Sequence, residues 1–246
     1  MPPVYDQNFA EVYDLIYGPG VGKDYAQEAG ELTALIRERR PSASSLLDVA
    51  CGTGLHLLHL SEHFGEVEGV ELSPQMAEIA RSRLGPGVKV TIGDMREFDL
   101  GRRFDAVTCL FSAIGYVQSR EELHRTLERL AAHLSPGGVL VLEPWFTPEA
   151  WQAGGLYHSV AEENGRTVVR LSYSGLTEDG KSLSDMHYLL GEEGVGIRYW
   201  RDQHILSLFT EDEYLDAFAA AGFGPVELLP GWQEGRDRLV AILPKG

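Results

Sequence analysis

Leu46-Leu47-Asp48-Val49-Ala50-Cys51-Gly52-Thr53-Gly54 is the stretch that decides the fold. A short apolar run enters two closely spaced glycines, and Leu57, Leu58, Leu60 and Phe64 then recur at helical spacing. Strand, glycine turn and helix in that order open a βαβ unit. Upstream, residues 24–40 carry Leu32, Leu35 and Ile36 on a helix that Pro41 and the serines after it stop. Downstream, Val67–Leu72 reads as a second strand, and Ser73-Pro74 opens a helix with a serine cap and a proline in the first turn. Val88–Ile92 is a third strand; Phe104–Phe111 is a fourth, apolar enough to be buried on both faces. Ser119-Arg120-Glu121-Glu122 is a capping box before a helix carrying Leu123, Leu127, Leu130 and Leu134. Ser135-Pro136-Gly137-Gly138 ends that helix, and Val139–Leu142 is the fifth strand. Strands alternating with helices make a parallel sheet.

Past Trp145 the pattern changes. Residues 156–209 read as three or four strands around Asn164-Gly165, Asp179-Gly180 and Glu192-Glu193-Gly194, an antiparallel insertion without a helix. Thr210-Glu211-Asp212-Glu213 caps a last helix, which ends at Gly222, and Val226–Leu229 and Leu239–Leu243 are two further strands. The expected organisation is a helical cap over 1–44, a ligand-binding core over 45–150, the antiparallel insertion over 151–209 roofing the site, and a C-terminal helix with the last two core strands over 210–246.

Composition narrows the function. The chain has 246 residues, enough for one large core, with 21 Lys and Arg against 37 Asp and Glu and a formal net charge of −16. Such a chain repels phosphate on average, so nucleic acid is not an expected partner. No apolar run is long enough to cross a bilayer, so a membrane is not expected either. The N-terminal stretch MPPVYDQNFA lacks the basic and apolar regions of a secretory signal, and a cytoplasmic protein is expected. Cys51 and Cys109 sit in apolar runs as expected buried, reduced thiols. His56, His59 and His63 read as a polar surface stripe, and no metal is expected.

In an open α/β sheet, ligands bind at the carboxyl ends of the strands. Gly52 and Gly54 let a ligand approach the backbone there. Glu71 closes the second strand about twenty residues later, where a carboxylate accepts both ribose hydroxyls of an adenosine. Asp94, after Gly93, is placed to accept an adenine amino group, with Met95 against the ring. The dinucleotide fingerprint needs a third glycine for close helix packing, and this chain has Leu57 there. The pattern therefore favours an adenosine ligand without a pyrophosphate, and S-adenosylmethionine (SAM) fits.

Asp48–Gly54, Glu71, Asp94-Met95, Phe104-Asp105-Ala106-Val107 and Leu134-Ser135-Pro136-Gly137-Gly138 resemble the successive motifs of class I SAM-dependent methyltransferases. The resemblance implies a Rossmann-like α/β fold with a seven-stranded sheet. Val12-Tyr13-Asp14-Leu15, Gly22-Lys23-Asp24-Tyr25, Gly93-Asp94-Met95-Arg96 and Glu143-Pro144-Trp145 are similar to stretches of the TDP-3-amino-deoxysugar N,N-dimethyltransferases of macrolide sugar pathways. Two departures lie where that family holds substrate: Trp145-Phe146 replaces a double tryptophan, and Gly235-Arg236-Asp237 replaces Gly-Arg-Gly.

The resemblance implies a cofactor set of Tyr13, Lys23, Ala50, Gly52, Thr53, Gly54, Glu71, Leu72, Met76, Asp94, Met95, Leu110 and Ser112, with Tyr13 reaching the methionine part. Methyl transfer is an in-line displacement, so the protein mostly positions two reactants. An amine must arrive unprotonated with its lone pair aimed. Tyr116, with Tyr5 and Tyr25 near the N-terminus, is a candidate for that task, and the family places a Tyr or His at position 116. Trp145, Glu143, His187 and Arg236 are the candidates to hold substrate. His187 has the plainer alternative of a half-exposed strand histidine, and Arg236 offers bidentate binding of a pyrophosphate. The rival substrate is another small amine or hydroxyl acceptor, and the rival class is a non-catalytic SAM-binding protein. A DNA methyltransferase is disfavoured because neither Asn/Asp-Pro-Pro-Tyr nor Pro-Cys occurs. A homodimer is compatible with the chain.

Overall fold

The computed structural model describes residues 7–18, 23–233 and 235–245. Helices α1 (Gln7–Tyr17) and α2 (Tyr25–Arg39) lead into the core. There β1 (Ser45–Val49), α3 (Leu55–Leu60), β2 (Glu66–Glu71), α4 (Pro74–Leu84), β3 (Lys89–Ile92), β4 (Phe104–Cys109), α5 (Arg120–Ala132) and β5 (Leu134–Leu142) follow. A short 3-10 turn, Ala113–Tyr116, links β4 to α5. After an antiparallel insertion come α6 (Glu211–Ala220), β10 (Glu227–Leu229) and β11 (Arg238–Ile242).

The caps read from the sequence form. The Ser73 hydroxyl accepts from the Met76 amide, Ser119 from Glu122, and Thr210 and Glu213 make a reciprocal capping box. The seven-stranded sheet has the order β10-β11-β5-β4-β1-β2-β3. β1 to β5 are parallel, and β11 runs antiparallel to both β5 and β10. The chain builds outward from β1 through β3 and then returns to β4 on the other side of β1. That reversal opens a crevice at the carboxyl ends of β1 and β4. Alternation along the strands covers both faces. Leu46, Ala106 and Val139 pack with Leu32, Ile36 and Leu57; Leu47, Val107 and Leu140 pack with Leu123, Leu127 and Phe218.

One boundary differs from expectation. The fifth helix ends at Ala132, and Leu134 already pairs with Phe104 as the first residue of β5. The register then shifts, and Val139 pairs with Ala106. Leu134 joins the cluster containing Leu123, Leu127 and Leu130, so apolar spacing could not separate helix from strand here. The residues between form a bulge held by two backbone bonds to Leu243.

The insertion is a four-stranded sheet of β6 (Leu156–Glu163), β7 (Arg166–Leu176), β8 (Ser182–Glu192) and β9 (Gly196–Leu206) in sequential order. Asn164 and Gly165, at φ 51° and 74°, make its first hairpin with the left-handed pair that matches strand twist. Its inner face is polar over a cavity above the core, lined by Arg170, Ser172, Ser184 and His204, and apolar where Val168, Tyr188 and Leu190 meet α1. Its outer face is apolar, with Leu171, Tyr173, Leu189 and Tyr199 exposed. Helix α1 lies between this lid and the core, packing Phe9, Val12 and Ile16 with Val168 and Tyr188 of the lid and Met76 of α4. No helix among the described residues is long and apolar enough to cross a membrane.

Candidate active site

The glycine turn and Glu71 form one unit. The Gly52 amide donates to Glu71 Oε2 and the Ser73 amide to Oε1, both at 2.8 Å. Burial pushes the Glu71 carboxyl up, and these amides, Ser73 first, pull it down. With one amide on each oxygen the carboxylate cannot swing, and its remaining lone pairs face a crevice of about 780 Å³. A Cβ built on Gly52 would project into open space, so glycine leaves the backbone approachable there. Ala50, Phe111 and Ser112 hold left-handed backbone at φ 61°, 53° and 59°. They stand at the ends of β1 and β4, on both sides of the reversal, and strain of this kind gathers at binding sites.

Tyr13, Leu72, Met76, Met95 and Leu110 line the crevice. Asp94 lies in its wall, and both of its oxygens accept from the Arg96 guanidinium, which holds the carboxyl below its ordinary range. Arg96 is itself tied to Glu122 at 2.8 Å. A braced buried carboxylate, a second braced carboxylate, apolar walls and an approachable glycine backbone fit an adenosine-bearing ligand such as SAM. Among the described residues no group of three or more His, Cys, Asp or Glu side chains could hold a metal ion.

Other expected residues have different jobs. A Cβ on Gly54 would come within 3.1 Å of Ala80 and Leu84, so this glycine serves the packing of α3 on α4. The Thr53 hydroxyl donates to Asp14 of α1 at 2.6 Å. Ser112 bridges Arg236 and the Pro144 carbonyl, each at 2.7 Å. Lys23 pairs with Glu28 at 2.8 Å, its ammonium within 5 Å of the Tyr25 and Phe111 ring centres. Glu143 is buried, accepts the Phe111 amide at 2.8 Å and lies 4.0 Å from Arg236.

Tyr25 is not brought to Tyr116. It lines a recess behind the glycine turn, and its hydroxyl already donates to the Tyr17 carbonyl at 3.0 Å. Tyr5 lies outside the described residues. His56 corrects the expected surface stripe: it is buried, with Nε2 2.7 Å from Glu28. Helix α3 is six residues long and ends before His63, so the three histidines do not share a helix face. The two cysteines are buried free thiols, pushed up by burial.

Beyond Tyr116 and Phe111 the crevice meets a larger cavity beneath the lid. Trp145 and Arg236 line it, as expected, and the Arg236 guanidinium sits 5.3 Å from the ring centres of both Trp145 and Phe146. His187 does not line it. Strand alternation turns His187 to the outer face, where it bonds Tyr199 at 2.7 Å. Two inward residues were missed by the sequence. Arg170, on β7, donates to the Tyr17 hydroxyl at 2.8 Å. His204, on β9, has Nδ1 2.7 Å from the Tyr116 hydroxyl. Burial, followed by the Arg170 charge, pushes His204 down to about 4. The Nε atoms of Arg170 and Arg236 are buried and make no hydrogen bond among the described residues, and both guanidiniums line this one cavity.

Comparison with known proteins covers core and lid together. Residues 46–138 match the family described as a methyltransferase domain. The chain is 48% identical to the dTDP-3-amino-3,6-dideoxy-alpha-D-glucopyranose N,N-dimethyltransferase of Streptomyces fradiae, over 97% of this chain and 92% of that one. It is 45% identical to the dTDP-4-amino-2,3,4,6-tetradeoxy-D-glucose N,N-dimethyltransferase of Saccharopolyspora spinosa, over 97% and 94%. Among solved structures, SAM-bound CalS10, an amino pentose methyltransferase of Micromonospora echinaspora involved in calicheamicin biosynthesis, matches with a TM-score of 0.84 and 43% identity, over 97% and 98%. The resemblance first seen in the motifs therefore holds across nearly the whole chain.

Proposed function

The chain belongs to the SAM-dependent N,N-dimethyltransferases of dTDP-linked amino deoxysugars, and from that premise we propose that it dimethylates the amine of a TDP-linked amino deoxysugar bound for an antibiotic. The observation that carries this reading is the cavity under the lid, which meets the crevice at Tyr116 and holds two incompletely bonded guanidiniums, Arg170 and Arg236. In a chain of net charge −16, such guanidiniums mark a place for an anion, and a nucleotide sugar brings a pyrophosphate. Phe146 keeps an aromatic platform beneath Arg236 where the family has a second tryptophan.

When bound, SAM supplies an electrophilic methyl: the amine lone pair forms the N–C bond, the C–S electrons stay on sulfur, and the new ammonium loses a proton to water. The chain supplies position. Glu71 and Asp94 would hold the adenosine end, Tyr13 would reach the methionine part, and Tyr116 would stand where amine and methyl meet. Because the nucleotide lies far from the transferred methyl, its contacts act alike in ground and transition states. Arg236→Ala is thus expected to raise KM for the nucleotide sugar about tenfold, with a smaller change in kcat and none in adenosylhomocysteine affinity. An unchanged KM would transfer the assignment to a smaller amine.

The outer face of the lid supports a homodimer. Leu171, Leu189 and Tyr199 form an exposed apolar face beside the opposite charges of Asp185 and Arg201, a surface that can pair with its own copy. The cytoplasm, where SAM and nucleotide sugars are made, is the compartment that suits the substrates.

A further inference from the structure

Tyr116 comes from the core and His204 from the lid, yet they meet at 2.7 Å inside the cavity. Tyr116 lines both the crevice and the cavity, so its hydroxyl is near any amine presented to a methyl. The imidazole is buried, with the Phe9 ring 5.5 Å away. The geometry points to His204 as a positioning residue that fixes which way the Tyr116 hydroxyl points, so that its oxygen accepts an N–H of the substrate amine. This rests on the amino-sugar reading and adds to it a role for a lid residue.

A neutral imidazole has one donor and one acceptor nitrogen. With the proton on Nε2, Nδ1 accepts and Tyr116 donates to it. The lone pairs of the phenolic oxygen are then left for an amine N–H, and the amine lone pair stays available for the methyl. With the proton on Nδ1, the roles reverse. The phenolic proton is freed to bond the amine lone pair, which masks the nucleophile. An imidazolium does the same, because both nitrogens then donate.

The surroundings keep the ring neutral, which excludes the imidazolium; the tautomer is what a nitrogen spectrum reads. Burial is the larger cause of this, and Arg170, on the same inner face of the lid, adds its charge to it. The ring is therefore a poor base, and the dyad orients the amine without removing its proton. Register ties the arrangement to the lid: His204 pairs with Ser184 across β8 and β9, two residues from the end of each strand. A lid out of place would turn the tyrosine hydroxyl as well as open the cavity.

Two measurements test this. In protein labelled with 15N-histidine and bound to adenosylhomocysteine, without sugar, His204 is expected to show an unprotonated, hydrogen-bonded Nδ1 and a protonated Nε2 between about pH 6 and 9. A protonated Nδ1 would overturn the proposal. In turnover, His204→Phe is expected to lower kcat about 10- to 100-fold with KM within about threefold, the scale of a misaimed reactant. His204→Asn, whose Oδ1 can accept near the position of Nδ1, is expected to stay within about fivefold of wild type, and Tyr116→Phe with His204→Phe is expected to be no worse than either alone. An unchanged kcat in His204→Phe, or equal losses in Phe and Asn variants with weakened adenosylhomocysteine binding, would overturn it. If the wild type leaves every TDP-amino sugar unmethylated, the substrate reading fails, and the nitrogen spectrum still decides the dyad.

Discussion

Glu71 is buried and fixed by the Gly52 and Ser73 amides, one on each oxygen, which is what a ribose-binding carboxylate needs. Removing it strands two backbone donors and whatever hydroxyls a ligand brings. Glu71→Ala is expected to weaken adenosylhomocysteine binding by about 1.5–3 kcal/mol in titration calorimetry. Glu71→Gln is no conservative change, since one amide hydrogen would then face a backbone N–H. Asp48 is a different buried acid. It lies on β1 with Thr108 donating to it at 2.7 Å, and burial raises its pKa to about 6, against the lowering by His56 and Thr108. The folded chain thus keeps this proton to a higher pH than the unfolded chain, whose Asp titrates near about 3.9. Between those values the folded state binds more protons, so stability falls as pH rises through the window and is flat above it. Asp48→Asn keeps the Thr108 bond and removes the penalty. It is expected to match wild type near pH 4 and to exceed it by about 3 kcal/mol at pH 8 in urea unfolding. Equal stability at both pH values would show that Asp48 is not shifted.

Helix α1 couples lid to core. Glu11 pairs with Arg166 and Arg198 of the lid at 3.0 Å each, while Asp14 on the same helix pairs with Arg83 and accepts the Thr53 hydroxyl. These groups are partly exposed, so each pair adds little to global stability. Their effect is to seat Tyr13 in the crevice wall. Asp14→Ala is expected to raise the adenosylhomocysteine Kd about three- to tenfold and to speed amide exchange across residues 9–17, with a global stability loss under about 1 kcal/mol. Unchanged exchange would mean that apolar packing alone holds the helix. The core elements were legible because apolar periodicity, glycines and caps all gave the same answer around Gly52 and Ser73. The lid was legible as hairpins but not as faces. Its strands alternate small polar residues such as Ser172 and Ser184 with large apolar ones such as Leu171 and Leu189. The usual rule sends the apolar set to the core; over the cavity it faces outward, while Val168, Tyr188 and Leu190 of the other parity pack inward on α1. His187 and His204 lie on opposite parities of that sheet, and no turn signal in the sequence told them apart. The polar parity, followed from Ser172 and Ser184 across the register, leads to His204.

At the scale of the whole molecule, the outward apolar face of the lid is the surface that most needs a cover. Tyr199 and Ile197 are 60% and 77% exposed there. A homodimer through this face is expected in sedimentation velocity, and Leu171→Glu with Leu189→Glu is expected to give a monomer that still binds adenosylhomocysteine. A wild-type monomer at micromolar concentration would remove the dimer from the account. Under that lid the crevice opens at Tyr116 into the cavity, the arrangement proposed to bring SAM and a nucleotide-linked amino sugar together. Mass spectrometry of the products formed from SAM with TDP-3-amino-3,6-dideoxyglucose, alongside the same sugar without its nucleotide, tests it most directly. The nucleotide sugar is expected to gain one methyl and then a second, and the free sugar to react at least about a hundredfold more slowly, in line with the loss of two charged contacts. A nucleotide sugar left unmethylated, or a free sugar that reacts as well as the nucleotide form, would contradict the account.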